Sequence, residues 1–280
     1  MNSALFVDGL CKEYPGFLLD RVSFSVPKGS ITGFIGRNGA GKSTTLKASL
    51  NLVHADSGSI SYFGLPLKEH ENEIKQRIGF AGGAVSYYKK KKLSEIARIT
   101  GRFYENWDSD AFGKYMRLFS IDPEKTPDKL SEGMRVKFSL ALALSHRAEL
   151  LILDEPTSGL DPVSREELLE TFLMLREKGI SVLFSTHITS DLDRCADRIV
   201  YIQKGRIIAE SGIGEFTDSY RTVSSADGFS ANAEYILGRC KTRDGETGLI
   251  KTENACAFEG SEIRIPTLED IMVHLEKEDI

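Results

Sequence analysis

The sequence predicts an α/β domain carrying a helical insert. Three observations lead there. A glycine-rich loop, "GRNGAGKST" at 36–44, sits between a short apolar run and a helical pattern. Two more short apolar runs, "LLILD" at 150–154 and "ISVLFST" at 180–186, read as strands buried on both faces, as in parallel sheets. Between the loop and the first of these runs, residues from about 70 to 145 change to helical spacing.

Each element has its own signal. Val22, Phe24 and Val26 alternate, and Pro27-Lys28-Gly29 supplies a turn. "RVSFSVPKGSITGFIG" therefore reads as two strands, the second ending at Gly36. A helix follows from about Lys42, with Leu46 and Leu50 on one face. In the insert, Ile96, Ile99 and Phe103 are spaced for one helical face, as are Phe112, Tyr115, Met116 and Phe119. Both sets read as core stripes. "SREELLETFLMLREKG" at 164–179 reads as an amphipathic helix, opening on a Ser164-x-x-Glu167 capping box and closing near Gly179. "RIVYIQKGRIIAE" is a hairpin turning at Lys204-Gly205. Past about residue 215 the signals weaken. Residues 221–262 show no strong period, and "TLEDIMVHLEKE" reads as a short helix. The expected domains are therefore 1–215, with the helical insert at about 70–145, and a small extension, 216–280.

Composition narrows the function classes. The 280-residue chain is 41% hydrophobic and 28% charged, ordinary for a globular protein with a sizeable core. A net charge of -5 argues against a dedicated nucleic-acid binder. Cys11, Cys195, Cys240 and Cys256 form no Cys-x-x-Cys pair, so neither a zinc site nor a disulfide framework is expected, and a reducing compartment fits. The opening "MNSALFVDGLCKEY" lacks a basic stretch followed by a long apolar run, so no signal peptide is expected. The apolar runs are too short for a membrane helix.

The chemistry-bearing motifs begin with Gly36-x-x-x-x-Gly41-Lys42-Ser43, a P-loop pattern. Glycines let the backbone curl so that several N–H groups face one anion, and the helix that follows adds its positive end. Lys42 can reach a β- or γ-phosphate, and Ser43 can offer its hydroxyl to Mg²⁺. Asp154 ends an apolar strand, where it can orient the water shell of that ion. Glu155, one step on, can polarise a water in line with a γ-phosphate. Ser131 precedes the helical "EGMRVKFSLALALSH" and can cap it. His54, His70, His146 and His274 read as ordinary core or surface residues.

The order of motifs resembles that of the ATP-binding-cassette (ABC) ATPases. "GRNGAGKST" matches their Walker A, "LSEGM" at 130–134 their signature, and "LLILDEP" their Walker B. "SGLDP" at 158–162 matches their D-loop, and His187 in "STHITSD" their switch histidine. The resemblance covers about residues 5–215 and implies a P-loop NTPase core with a mostly parallel sheet and an N-terminal antiparallel β subdomain. It implies binding of ATP and Mg²⁺ by Gly36, Arg37, Asn38, Gly39, Ala40, Gly41, Lys42, Ser43 and Thr44, with Tyr14 stacking on adenine. Ser43 and Asp154 are the implied metal residues, the latter through water. Glu155, His187 and Lys42 are the implied catalytic residues. Family members pair head to tail, so Ser131, Glu132 and Gly133 would act on the partner cassette's nucleotide, and Asp161 would order the dimer interface. The short insert "FYENWD" and the "TLEDIMV" tail most resemble single-cassette ATPases of small bacterial exporters of peptides or drugs. The expectation is a cytoplasmic ATPase, peripheral on the inner membrane face, driving a separate integral-membrane permease. The alternatives are a soluble ABC ATPase remodelling nucleic acid or the ribosome, and a P-loop small-molecule kinase.

Three features depart from the pattern or add to it. Gly83, in "IGFAGGAVSYY", stands where the family usually has Gln. Glu132 and Met134 replace common Gly and Gln in the signature. "YYKKKK" at 87–92 reads either as a solvated charge run or as a contact for the permease or anionic lipid. With no side chain at Gly83 to reach Mg²⁺, hydrolysis is expected to be slow. Gly83→Gln should raise steady-state phosphate release, and unchanged turnover with unchanged Mg²⁺ dependence would count against this reading.

Overall fold

The computed structural model describes residues 3–82, 88–226, 228–229, 232–243 and 245–277. The chain divides into two compact units, Met1–Glu210 and Ser211–Ile280, a few residues before the boundary expected from the sequence.

The first unit opens with β1 (Ser3–Tyr14) and β2 (Phe17–Pro27), a hairpin joined through Pro15-Gly16. β3 (Ile31–Ile35) follows the Lys28-Gly29 turn but joins a different sheet. After α1 (Lys42–Ser49), β4 (Ser57–Tyr62) and β5 (Leu65–Pro66) complete an antiparallel sheet of order β2-β1-β4-β5. Its inward residues Leu5, Val7, Leu10, Val22, Phe24 and Val26 share one core with Phe34, Leu46, Ile152 and Leu183. The β subdomain thus covers α1 and the strand that feeds it. Tyr62 fixes this junction: its fully buried hydroxyl donates to the Ser49 carbonyl at the end of α1, at 2.9 Å. Burial pushes the phenol well above its ordinary pKa, so it stays a donor.

Then come α2 (Leu67–Gln76) and β6 (Ile78–Gly82), followed by the insert α3 (Leu93–Thr100), α4 (Ser109–Leu118) and α5 (Glu132–Ser145). Asp108 caps α4 by accepting from the Ala111 amide; of the expected stripe, Phe112, Met116 and Phe119 are buried and Tyr115 is half-buried. The first stripe is only partly realised. Ile96 is buried, but α3 ends at Thr100 and a 3₁₀ turn over Gly101–Phe103 rotates Phe103 out, leaving it 72% exposed. A tighter turn breaks the 3.6-residue spacing on which that stripe depended. His146 keeps a core role: it stacks on Tyr104 at 3.7 Å, and burial lowers its pKa.

The remaining elements of this unit build the second sheet. They are β7 (Leu150–Asp154), α6 (Pro162–Glu177), β8 (Ser181–Thr186), α7 (Thr189–Cys195), β9 (Arg198–Gln203) and β10 (Arg206–Gly212). The strand order is β10-β9-β3-β8-β7-β6, with β9, β3, β8, β7 and β6 paired in parallel. Every residue of β3, β7 and β8 is buried. The hairpin turns at Lys204 and Gly205, both at positive φ, as a type I′ turn requires.

The capping of α6 differs from expectation. Its N-cap is Asp161, whose carboxylate accepts from the Val163 and Ser164 amides, and Ser164 lies inside the first turn. Pro162 at the first helical position pre-sets the backbone for this earlier start. The end near Gly179 is a Schellman motif: the Gly179 amide donates to the Arg176 carbonyl and the Ile180 amide to Leu175.

In the second unit, α8 (Ile213–Asp218) precedes β11 (Tyr220–Ser225), β12 (Ile236–Thr242), β13 (Gly245–Lys251), β14 (Glu262–Arg264) and α9 (Leu268–Leu275). The four strands form an antiparallel sheet of order β12-β13-β11-β14. Residues 221–262 hid this sheet because its buried positions do not alternate: Gly248, Leu249 and Ile250 are buried in succession in β13. Val223, Ile250 and Phe258 form one cluster with Phe229 and Ile236 against it, and α9 packs on β12 and β13 with Leu268, Ile271 and Met272 buried. The helix expected in the tail is α9, opened by a Thr267–Asp270 capping box. Among the described residues, no helix is long and apolar enough to cross a membrane.

Tyr62→Phe should cost about 1–2 kcal/mol in chemical denaturation, because it leaves the buried Ser49 carbonyl short of its donor.

Candidate functional site

The parallel strands end level. Ile35 pairs with Thr186, Asp154 with Ser185, and Gly82 with Asp154. The residues that follow β3, β7 and β8 therefore emerge together at the carboxyl edge of the sheet, where such sheets bind ligands. A cleft of about 630 Å³ opens there, lined by the 38–44 loop, Phe17, Glu155, Ser158 and His187.

The loop after β3 can take only its own residues. A Cβ on Gly36 would lie 2.3 Å from the Ile202 carbonyl of β9, so the chain passes at a distance only glycine allows. Gly41, at φ 113°, is the N-cap of α1 and offers no side-chain cap. The first-turn amides of α1 are thus left for an anion. Lys42 is 5% exposed; its Nζ donates to the Gly36 carbonyl at 2.7 Å and the Arg37 carbonyl at 3.2 Å. The same Nζ lies 3.2 Å from Glu155 Oε1.

Asp154 and Glu155 sit at the end of β7 with different surroundings. Asp154 is buried, and its Oδ1 accepts from the Ser43 hydroxyl at 3.0 Å and the Ser185 hydroxyl at 2.7 Å. Ser185 Oγ in turn accepts from the Glu155 amide at 2.9 Å. Glu155 has φ 52°, in the left-handed region that a long side chain rarely adopts. Holding it there costs on the order of 1–3 kcal/mol. The strain turns the carboxylate back over the loop, with Oε1 beside Lys42 and Oε2 hydrogen-bonded to His187 Nδ1 at 2.8 Å. Lys42, Glu155 and His187 are thus one connected chain across the mouth of the cleft. Ser43 and Asp154 offer a hydroxyl and a carboxylate side by side, hard oxygen donors of the kind Mg²⁺ takes alongside substrate phosphates. Among the described residues, no cluster of three or more His, Cys, Asp or Glu offers a protein-only metal cage.

Other expected residues fall elsewhere. Ser131 caps α5, its Oγ accepting from the Met134 amide at 3.3 Å. The Glu132 carboxylate runs alongside Gly159, and Gly133 is buried against Ser164 and Leu160. Ser131, Glu132, Gly133 and Asp161 are not among the residues lining the cleft. Asp161 is held below the ordinary carboxylate range by the Ser164 hydroxyl and amide. Tyr14 ends β1 with Lys12 Nζ 5.4 Å from its ring centre; its cross-strand partner Phe17, not Tyr14 itself, lines the cleft. The Gly83 reading lies outside the described residues. Ser185, Ser158 and Phe17 escaped sequence reasoning. Ser185 had a usable signal, a hydroxyl that directly follows the apolar Val182-Leu183-Phe184 run of a buried strand, two residues before His187.

A phosphate-cradling loop, a carboxylate pair at a neighbouring strand end and a histidine at the next define a P-loop nucleotide-hydrolysing cassette. The ABC transporter family profile matches residues 19–158. The chain is 30% identical over 293 aligned residues to YhaQ, an uncharacterized ABC transporter ATP-binding protein of Bacillus subtilis (strain 168), covering 96% of this chain and 97% of that protein. It is 34% identical over 195 residues to BcrA, a bacitracin transport ATP-binding protein of Bacillus licheniformis, covering 69% of this chain and 64% of that one. A solved ATP-binding subunit of an ABC transporter superposes with a TM-score of 0.69 at 29% identity, covering 76% of this chain and 91% of that one. The chain belongs to the ABC transporter family, as an ATP-binding subunit with ATPase activity.

Ser185→Ala removes a donor to Asp154 and the acceptor of the Glu155 amide. It should cost about 1–3 kcal/mol in chemical denaturation and slow phosphate release, measured on the same preparation.

Proposed function

We propose that this chain hydrolyses MgATP in the cleft at the carboxyl edge of its parallel sheet, and that the hydrolysis drives a separate membrane permease. The contact chain Lys42–Glu155–His187, set directly over the P-loop, carries this reading. The amides of residues 39–44 and Lys42 hold the phosphates and offset charge on the transferring phosphoryl group. Glu155 takes the proton of a water whose oxygen bonds to the γ-phosphorus as the bond to the β-phosphate oxygen breaks; ADP and phosphate leave. His187, bonded to Glu155, orients that carboxylate and contacts the γ-phosphate. Ser43 directly, and Asp154 through water, would hold Mg²⁺, which supplies charge neutralisation on the phosphates. Phe17, at the rim of the cleft, stacks on the adenine, and its cross-strand partner Tyr14, the residue the family resemblance points to, lies beside it.

Ser131 serves a second cassette. It caps a 14-residue helix, and the amides that begin such a helix suit an anion. In a head-to-tail pair, Ser131, Glu132 and Gly133 meet the partner's γ-phosphate, and Asp161 orders the interface. Binding of ATP closes the pair, and hydrolysis opens it. The name of BcrA, a bacitracin transport protein, supports a peptide- or drug-like compound as cargo, and the resemblance to single-cassette exporters favours export as direction. The chain then works from the cytoplasmic face, attached to the membrane through its permease.

Glu155→Gln keeps the shape of the site and removes the base. Turnover should fall by at least about a hundredfold, while ATP binding persists and the cassette sediments as a dimer with ATP. An ATP-loaded variant that sediments only as a monomer, with or without its permease, counts against the closed pair.

A further inference from the structure

The hydrogen bond between His187 and Glu155 does not hold itself in place. His187 is 40% exposed, and an exposed pair of this kind contributes little on its own. Each residue is anchored instead through a near neighbour. Thr157 lies two residues after Glu155, and Thr186 immediately before His187. Both threonine hydroxyls donate to one oxygen, Asp191 Oδ2, at 2.6 and 3.3 Å. Asp191 is on α7, and its side chain is 1% exposed. Its other oxygen, Oδ1, accepts from Arg165 Nε of α6 at 2.5 Å. The Thr186 hydroxyl also accepts from the Ile188 amide at 3.0 Å, which pins the turn carrying His187.

These contacts close a ring. It runs from Asp191 through Thr157 to Glu155, across to His187, and back through Thr186 to Asp191. A buried carboxylate must be fully bonded to be tolerated, so its three donors are held at short range. Those donors come from the loop after β7, the end of β8 and the first turns of α6. Arg165 supplies the neutralising charge and is itself steadied by the Ser190 hydroxyl, which lies 3.2 Å from its Nη2. Ser185 holds the Glu155 amide and Lys42 faces its carboxylate, but among these contacts only the Asp191 carboxylate joins the loop after Glu155 to the strand end that carries His187.

We infer that Asp191 is a positioning residue for hydrolysis: its buried carboxylate gathers Thr157, Thr186 and Arg165 and so fixes the distance between Glu155 and His187. This rests on the reading of Glu155 and His187 as the hydrolytic pair. Asp191 is buried and is not among the residues lining the cleft. It acts through the two loops, so it governs the chemical step and not nucleotide affinity.

Thr157→Val deletes one hydroxyl of the ring without changing side-chain size, and Asp191→Asn removes the charge. Single-turnover phosphate release should fall about ten- to a hundredfold in both, with the Kd for ATP within about twofold of the parent. Thr157→Ser should restore most of the rate. In a His187→Ala background, Thr157→Val should add little, because the spacing it protects no longer exists. A folded Thr157→Val variant with full turnover overturns the inference. So does a loss of the same factor in both His187 backgrounds, which marks a merely structural role. Should Asp191→Asn fail to fold, Thr157→Val carries the test alone. Parental turnover in Glu155→Gln and His187→Ala would instead overturn the site assignment itself.

Discussion

Lys42 is a cation almost wholly removed from water, and the cleft is organised around satisfying it. An ammonium group in that position is costly unless every proton finds an acceptor. The Gly36 and Arg37 carbonyls supply two, and Glu155 supplies a carboxylate. The carbonyls require the backbone to curl back on the lysine, which demands Gly36 pressed against β9 and Gly41 at φ 113°. The carboxylate requires Glu155 to leave β7 in a left-handed conformation. One buried charge therefore ties together the loop after β3 and the loop after β7.

The parallel sheet makes that convergence possible. Strands of equal burial, paired in level register, deliver their last residues to one line. Asp154 and Ser185 sit directly opposite each other in that register, so a serine of β8 can brace both the carboxylate of Asp154 and the amide of Glu155. The antiparallel sheet contributes from the other side. Its Phe24 shares one core with Phe34 of β3 and Leu46 of α1, and its hairpin brings Phe17 to the rim of the cleft. The ends of rigid strands carry Asp154 and Ser185, and the loops that follow them are tied together by the buried Asp191 carboxylate.

The second unit follows another economy. Its sheet packs a cluster of Val223, Ile250 and Phe258, and α9 lies on β12 and β13 with Leu268, Ile271 and Met272 buried. Such a unit leaves a faint trace in sequence, because half-buried strands need neither long apolar runs nor strict alternation.

The sequence by itself determined the elements whose physics is local. The spacing of Gly36, Gly41, Lys42 and Ser43 specifies a phosphate loop because backbone curl and helix start depend on neighbouring residues. The apolar runs at 150–154 and 180–186 specify buried strands, and Ser131 ahead of its helix specifies a cap. Only the tertiary structure decided what depends on residues far apart in the chain. Ser185 and Asp154 meet because β7 and β8 pair in parallel at a given register. Phe17, rather than Tyr14, lines the cleft because the hairpin turns at Pro15-Gly16 and leans on Gly41. Phe103 faces out because a 3₁₀ turn interrupts its stripe, and α6 starts at Pro162 because Asp161, not Ser164, meets the free amides. Periodicity records which face of an element is apolar; it holds no record of which partner the pairing of strands will set against that face.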